Sequence, residues 1–173
     1  DKTIKVGING FGRIGRTLFR LLLDHSSIQV VAINDLSDTR TLSHLLKYDS
    51  IHGVLEEKIS HSENKIIVSG NPIQFSSLKN IEDIKWGTID IVIECSGKFK
   101  TRKLLQHHIN NGAKKVILST PPSDDSIKMV VIGVNSDIIT SEDTIISNAS
   151  CTTNNAAPML QIINNFCGIE QDI

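Results

Sequence analysis

The stretch Ser147-Asn148-Ala149-Ser150-Cys151-Thr152-Thr153-Asn154 sets one cysteine among hydroxyls and amides, just ahead of a helical pattern. A cysteine kept for packing usually has apolar neighbours, whereas this one has the setting of a nucleophile. The periodicity predicts a helix over residues 150–166, with Ser150 as its cap. The positive end of that helix would favour the thiolate. Its amides would hold an oxyanion formed on an attacked carbonyl, and the neighbouring hydroxyls a phosphate or a hydroxylated substrate. The competing account, a small packing residue, fits Cys95 at the end of a β-branched strand and Cys167 beside Phe166.

A second constellation lies at the other end of the chain. Gly10-Phe11-Gly12-Arg13-Ile14-Gly15 is G-x-G-x-x-G between a strand pattern and a helix pattern. In that context the first glycine allows a tight turn and the second lets a pyrophosphate approach the backbone. The third lets helix and strand pack closely. Asp35 ends the next strand, where a carboxylate takes both hydroxyls of an adenosine ribose and repels a 2′-phosphate. NAD is expected over NADP; a structural turn plus an unrelated loop aspartate is the alternative. Ser96-Gly97 and Ser119 follow two later strands, where ligands of open α/β sheets sit, although ordinary turn chemistry supplies the same residues. A cysteine beside a dinucleotide site points to aldehyde oxidation through a thioester.

The elements that must position these groups alternate along the chain. Strand patterns fall at residues 4–9, 29–35, 89–95, 114–119 and 128–134, and helix patterns at 13–25, 39–48, 101–111 and 150–166. The first helix pattern places Ile14, Leu18, Leu21 and Leu22 on one face. Between residues 54 and 75 three short alternating runs, with a turn at 69–72, predict an antiparallel excursion. The fold class is therefore α/β: a doubly wound, mostly parallel sheet of Rossmann type with a short antiparallel excursion. The six histidines (His25, His44, His52, His61, His107 and His108) fall at helix ends, loops or exposed faces, where solvated side chains are expected.

Bulk properties exclude several classes. The 173 residues suit one domain, and 18 Lys plus Arg against 19 Asp plus Glu give no field for nucleic acid or an anionic membrane. The apolar runs are strand-sized, with no signal peptide pattern at the start. Three cysteines match neither a zinc spacing nor a disulfide framework, so no metal is expected and a cytoplasmic location is.

The stretches KVGINGFGRIGR, AIND, LKYDSIHG, GAKKVILS and, above all, SNASCTTN resemble the phosphorylating glyceraldehyde-3-phosphate dehydrogenases. The resemblance implies the glycolytic reaction, in which glyceraldehyde 3-phosphate, inorganic phosphate and NAD give 1,3-bisphosphoglycerate. It implies Cys151 as nucleophile, with Ser150 and Thr152 in its phosphate-binding stretch. Gly10, Phe11, Gly12, Arg13, Ile14, Asn34, Asp35, Ser96, Gly97 and Ser119 are the implied cofactor positions. It also implies a homotetramer at full length and chains roughly twice as long. Residues 1–150 would be the NAD-binding domain and residues 151–173 the start of a catalytic domain whose remainder, with the general-base histidine, lies outside this chain. An erythrose-4-phosphate dehydrogenase, or an NAD-binding module without turnover, shares the same motifs. Asn155 replaces a second cysteine common in the family, Lys79 stands where an arginine is frequent, and Pro121-Pro122 replaces a single proline.

Overall fold

β-branched segments with few polar positions can bury both faces only by lying side by side under helices. In the computed structural model, which describes residues 3–170, they do so. β1 (Ile4–Asn9), α1 (Arg13–Leu23) and β2 (Ile28–Asn34) make the first crossover. After α2 (Thr39–Lys47) come the small pair β3 (Tyr48–Asp49) and β4 (Gly53–Val54), then β5 (Ile59–Ser62), β6 (Lys65–Val68) and β7 (Asn71–Ser76). A second crossover follows, from β8 (Ile89–Glu94) through α3 (Arg102–Asn110) to β9 (Ala113–Leu118). The last elements are β10 (Lys128–Met129), β11 (Ile145–Ser147) and α4 (Cys151–Cys167).

Nine strands form one sheet in the order β10-β11-β9-β8-β1-β2-β7-β6-β5, parallel except where β6 meets β5 and β7. The doubly wound class is thus observed. The excursion extends the main sheet, because β7 pairs antiparallel with β6 and parallel with β2. One core cluster is built around Ile8, Phe11, Phe19, Ile33, Leu46 and Ile66. Another joins Leu105 of α3 to Val116, Leu118 and Ile145.

Several expectations are corrected. The strand expected over residues 128–134 stops at Met129, because the Asn135 side chain takes its next partners. Asn135 Oδ1 accepts from Val131 N at 2.7 Å and Nδ2 donates to Met129 O at 3.0 Å. β11 instead takes the place beside β9. The packed stripe of α1 runs through Gly15 and Phe19, leaving Ile14 62% and Leu21 64% exposed. His108 is fully buried rather than solvated. Cys167 is exposed beside Phe166, itself 88% exposed, and no residue of α4 is buried. Among the described residues no helix is long and apolar enough to cross a membrane, and no cluster of His, Cys, Asp or Glu is arranged to hold a metal ion.

Leu105 is wholly enclosed between α3 and the sheet. Leu105→Ala should cost about 2–5 kcal/mol in urea unfolding of the full chain. An unchanged midpoint would contradict this packing.

Candidate cofactor cleft and nucleophile

β1, β2, β8, β9 and β11 run parallel and end at one edge of the sheet, so the segments that follow them gather there. At this edge a cleft of about 280 Å³ is walled by Gly10, Gly12, Asn34, Asp35, Ser96 and Lys98, among others. Of the expected cofactor positions, Gly10, Gly12, Asn34, Asp35 and Ser96 thus share one concavity. Phe11, Arg13, Ile14, Gly97 and Ser119 do not line it.

The three glycines answer to different constraints. Gly10 has φ +89°, and a Cβ there would sit 2.6 Å from the Ser96 backbone. A Cβ on Gly15 would sit 2.3 Å from Gly10 O, so the loop and α1 could not close together. At Gly12 a Cβ would meet nothing within 4 Å: the protein itself leaves that space open. Gly12 also caps α1 without a side chain, whereas Asp38, Thr101 and Ser150 cap α2, α3 and α4 through their oxygens. The first intrahelical bond of α1 is Arg16 N to Gly12 O at 3.0 Å, so the amides ahead of it face the cleft edge uncapped. These features fit a dinucleotide pyrophosphate.

Asp35 is tied to the loop, its Oδ2 accepting from Phe11 N at 2.7 Å and its Oδ1 from Ser37 N at 2.9 Å. A carboxylate has about four acceptor sites, so two remain for ribose hydroxyls. The Phe11 side chain is 0% exposed and packs edge-on against Phe19, so it supports the loop from the core. Asn34 is also structural in its side chain. Its Nδ2 donates to Asn9 Oδ1 at 2.9 Å and Leu78 O at 3.0 Å, and its Oδ1 accepts from Ser76 Oγ at 2.8 Å and Leu78 N at 2.9 Å. Nothing of that amide is left for a ligand.

Beneath the cleft lies a polar group that sequence reasoning missed. Glu94, the last residue of β8, is 0% exposed and accepts from Asn9 Nδ2 at 2.6 Å and His108 Nε2 at 2.8 Å. Ser96 gives it two further bonds, from its amide at 2.8 Å and from its hydroxyl. His108 in turn accepts from Trp86 Nε1 at 2.9 Å. A charged residue ending the run IDIVIE was the available signal for Glu94, and its spacing of three from Leu105 on α3 the signal for His108.

Cys151 is exposed at the first turn of α4. Ser150 Oγ accepts from Thr153 N at 2.9 Å, so the hydroxyl expected to meet phosphate also caps the helix; Thr152 is exposed. The approach from β11 is clamped. Ser147 Oγ donates to Thr120 O at 2.7 Å and accepts from Ala149 N at 3.0 Å, and Ala149 is held at φ +58°. A non-glycine residue in that region stores about 1–3 kcal/mol of strain, which here turns the chain sharply into the cysteine. Ser119, bonded to Glu94 O, follows β9, the strand next to β11, and is the expected cofactor position nearest Cys151 along the sheet edge. Cys95 differs: burial, aided by the Glu94 charge, pushes its thiol up to about 11.

Fold and cleft together define a dinucleotide-binding α/β domain of Rossmann type. Residues 4–102 match the family model for the NAD-binding domain of glyceraldehyde 3-phosphate dehydrogenase, which makes the dinucleotide NAD. The chain belongs to that family. It is 49% identical over 171 residues to glyceraldehyde-3-phosphate dehydrogenase 2 of Streptomyces avermitilis, covering 96% of this chain and 51% of that one. The glyceraldehyde-3-phosphate dehydrogenase of Mycoplasma pneumoniae is 46% identical, with 98% and 51% covered. That of Geobacillus stearothermophilus is 47% identical, with 96% and 50% covered. The chain spans about half the length of the curated relatives it matches.

Two measurements test this geometry. Gly12→Ala should leave the melting temperature nearly unchanged and weaken NAD binding, while Gly15→Ala should lower the melting temperature by several degrees; equal melting losses would contradict the open space at Gly12. At about pH 8, iodoacetamide should label Cys151 and spare Cys95, whose thiol stays protonated until the pH rises towards 11. Labelling of both at one rate would contradict the burial of Cys95.

Proposed function

We propose that the protein is an NAD-dependent dehydrogenase that oxidises glyceraldehyde 3-phosphate to 1,3-bisphosphoglycerate with inorganic phosphate, using Cys151 as its nucleophile. The observation that carries this is the placement of Cys151. It is exposed at a capped helix start and follows a strand that ends at the same sheet edge as the glycine loop. In the proposed reaction the Cys151 thiolate adds to the aldehyde carbon, and amides of the first turn of α4 support the oxyanion of the resulting hemithioacetal. NAD supplies the two-electron acceptor when bound. The thioester left on Cys151 is cleaved by phosphate, which releases the acyl phosphate and restores the thiolate. Asp35 holds the adenosine ribose and disfavours a 2′-phosphate.

The division into a cofactor domain over residues 1–150 and the start of a catalytic domain from residue 151 belongs to the same proposal. It is supported by α4, which buries none of its residues in the rest of the chain. Residues 171–173 lie outside those described. The remaining half of the protein would contribute the general base, the substrate contacts and the contacts of a homotetramer.

In the full-length protein Cys151→Ser should abolish the thioester seen by mass spectrometry after addition of aldehyde and NAD, with the NAD dissociation constant unchanged. Turnover retained by that variant would refute the nucleophile. Rates on erythrose 4-phosphate measured beside those on glyceraldehyde 3-phosphate decide between the two aldehydes.

A further inference from the structure

Asn34, Asn9 and Glu94 are the last residues of three neighbouring parallel strands and stand in register. Their buried side chains are bonded sideways in a row, and the direction of every bond is imposed from outside it. At one end the Leu78 carbonyl and amide both bind the Asn34 side chain, so that amide cannot be turned over. Asn34 therefore donates to Asn9, which leaves Asn9 to donate to Glu94. At the other end the Trp86 indole can only donate, so His108 Nδ1 accepts and His108 Nε2 carries the proton given to Glu94. The Ser96 hydroxyl accepts from Lys98 N at 3.2 Å and so gives its proton to Glu94. Four donors and no acceptor meet at one side chain, and only a carboxylate takes them all.

Glu94 itself is sealed from the cleft, but Ser96, held by two of those bonds, lines it. Asp35 follows β2 and Ser96 follows β8, on opposite sides of β1. A dinucleotide laid across the glycine loop therefore meets the Asp35 wall with its adenosine half and the Ser96 wall with the other. We propose that Glu94 is a positioning residue for that other half, acting through Ser96 and the turn to Lys98. The inference rests on the reading of this cleft as an NAD site.

Glu94→Gln tests it, because an amide has one oxygen where the site needs two. With that oxygen turned to Asn9 and His108, the row survives and a single donor, the Ser96 amide, is left facing an NH₂ group. The reverse orientation mismatches both Asn9 and His108. The Ser96 wall is therefore the part that gives.

Calorimetry on the full chain would compare NAD with ADP, a probe of the Asp35 half alone. Failure of the wild type to bind NAD would remove the cofactor reading and this inference with it. If it binds, Glu94→Gln should raise the NAD dissociation constant about tenfold, or about 1.4 kcal/mol, with that for ADP unchanged. The ratio of the two constants is the readout, because a general loss of stability does not move it. An unchanged ratio, whether both constants hold or both rise together, would overturn the role. Should that variant not fold, Glu94→Asp, which keeps the charge and loses one methylene of reach, must shift the same ratio in the same direction. An unchanged ratio there would equally overturn it.

Discussion

A buried carboxylate that pairs with no lysine or arginine among the described residues must be met by a donor on every lone pair, and Glu94 imposes that demand on its surroundings. Asn9 and Asn34 are buried at the ends of β1 and β2, and each is spent on the row that ends at Glu94. His108 gives up the exposed face of α3 for the same reason, and Trp86 fixes which of its nitrogens carries the proton. Strand register, the placement of α3 and the turn after β8 must all agree for the carboxylate to be tolerated. The floor of the cleft is consequently one connected structure.

The edge above that floor is built in a different way. Three helices close their first turns with side-chain oxygens, and α1, which faces the cleft, does not. Gly12 leaves room that the chain never fills, while Gly10 and Gly15 are glycine because neighbouring backbone is too close for anything else. At the far end of the same edge, Ala149 carries backbone strain so that Cys151 can open a helix. Strain of this kind persists only where its surroundings hold it, and here Ser147 does so through two bonds.

What was legible in the sequence was local. The spacing of three glycines, a carboxylate at the end of the following strand and a cysteine among hydroxyls are each complete within a few residues, and the structure brings the first two into one cleft. The alternation of strands and helices was legible for the same reason. Contacts between distant residues were not. Glu94 meets His108 across 14 positions and Asn9 across 85, and no periodicity announces either. β11 is three residues long, too short to show a period, and the strand before it was overestimated because Asn135, four residues beyond Val131, captures the backbone that would have continued it. On α1 hydrophobicity pointed to Ile14 and Leu21, but Gly15 has to face inward, and that sets the rotation of the helix.

The chain has a single tryptophan, and it lies in the buried row of bonds that reaches the floor of the cleft. Its emission is therefore an optical gauge of that floor, with no second indole to blur it in this half of the protein. A rearrangement at the mouth that never reaches Glu94 would leave the spectrum silent. One that unseats His108 would strip the indole of its hydrogen-bond acceptor and alter its colour, so a spectrometer alone could tell a shallow response from a deep one.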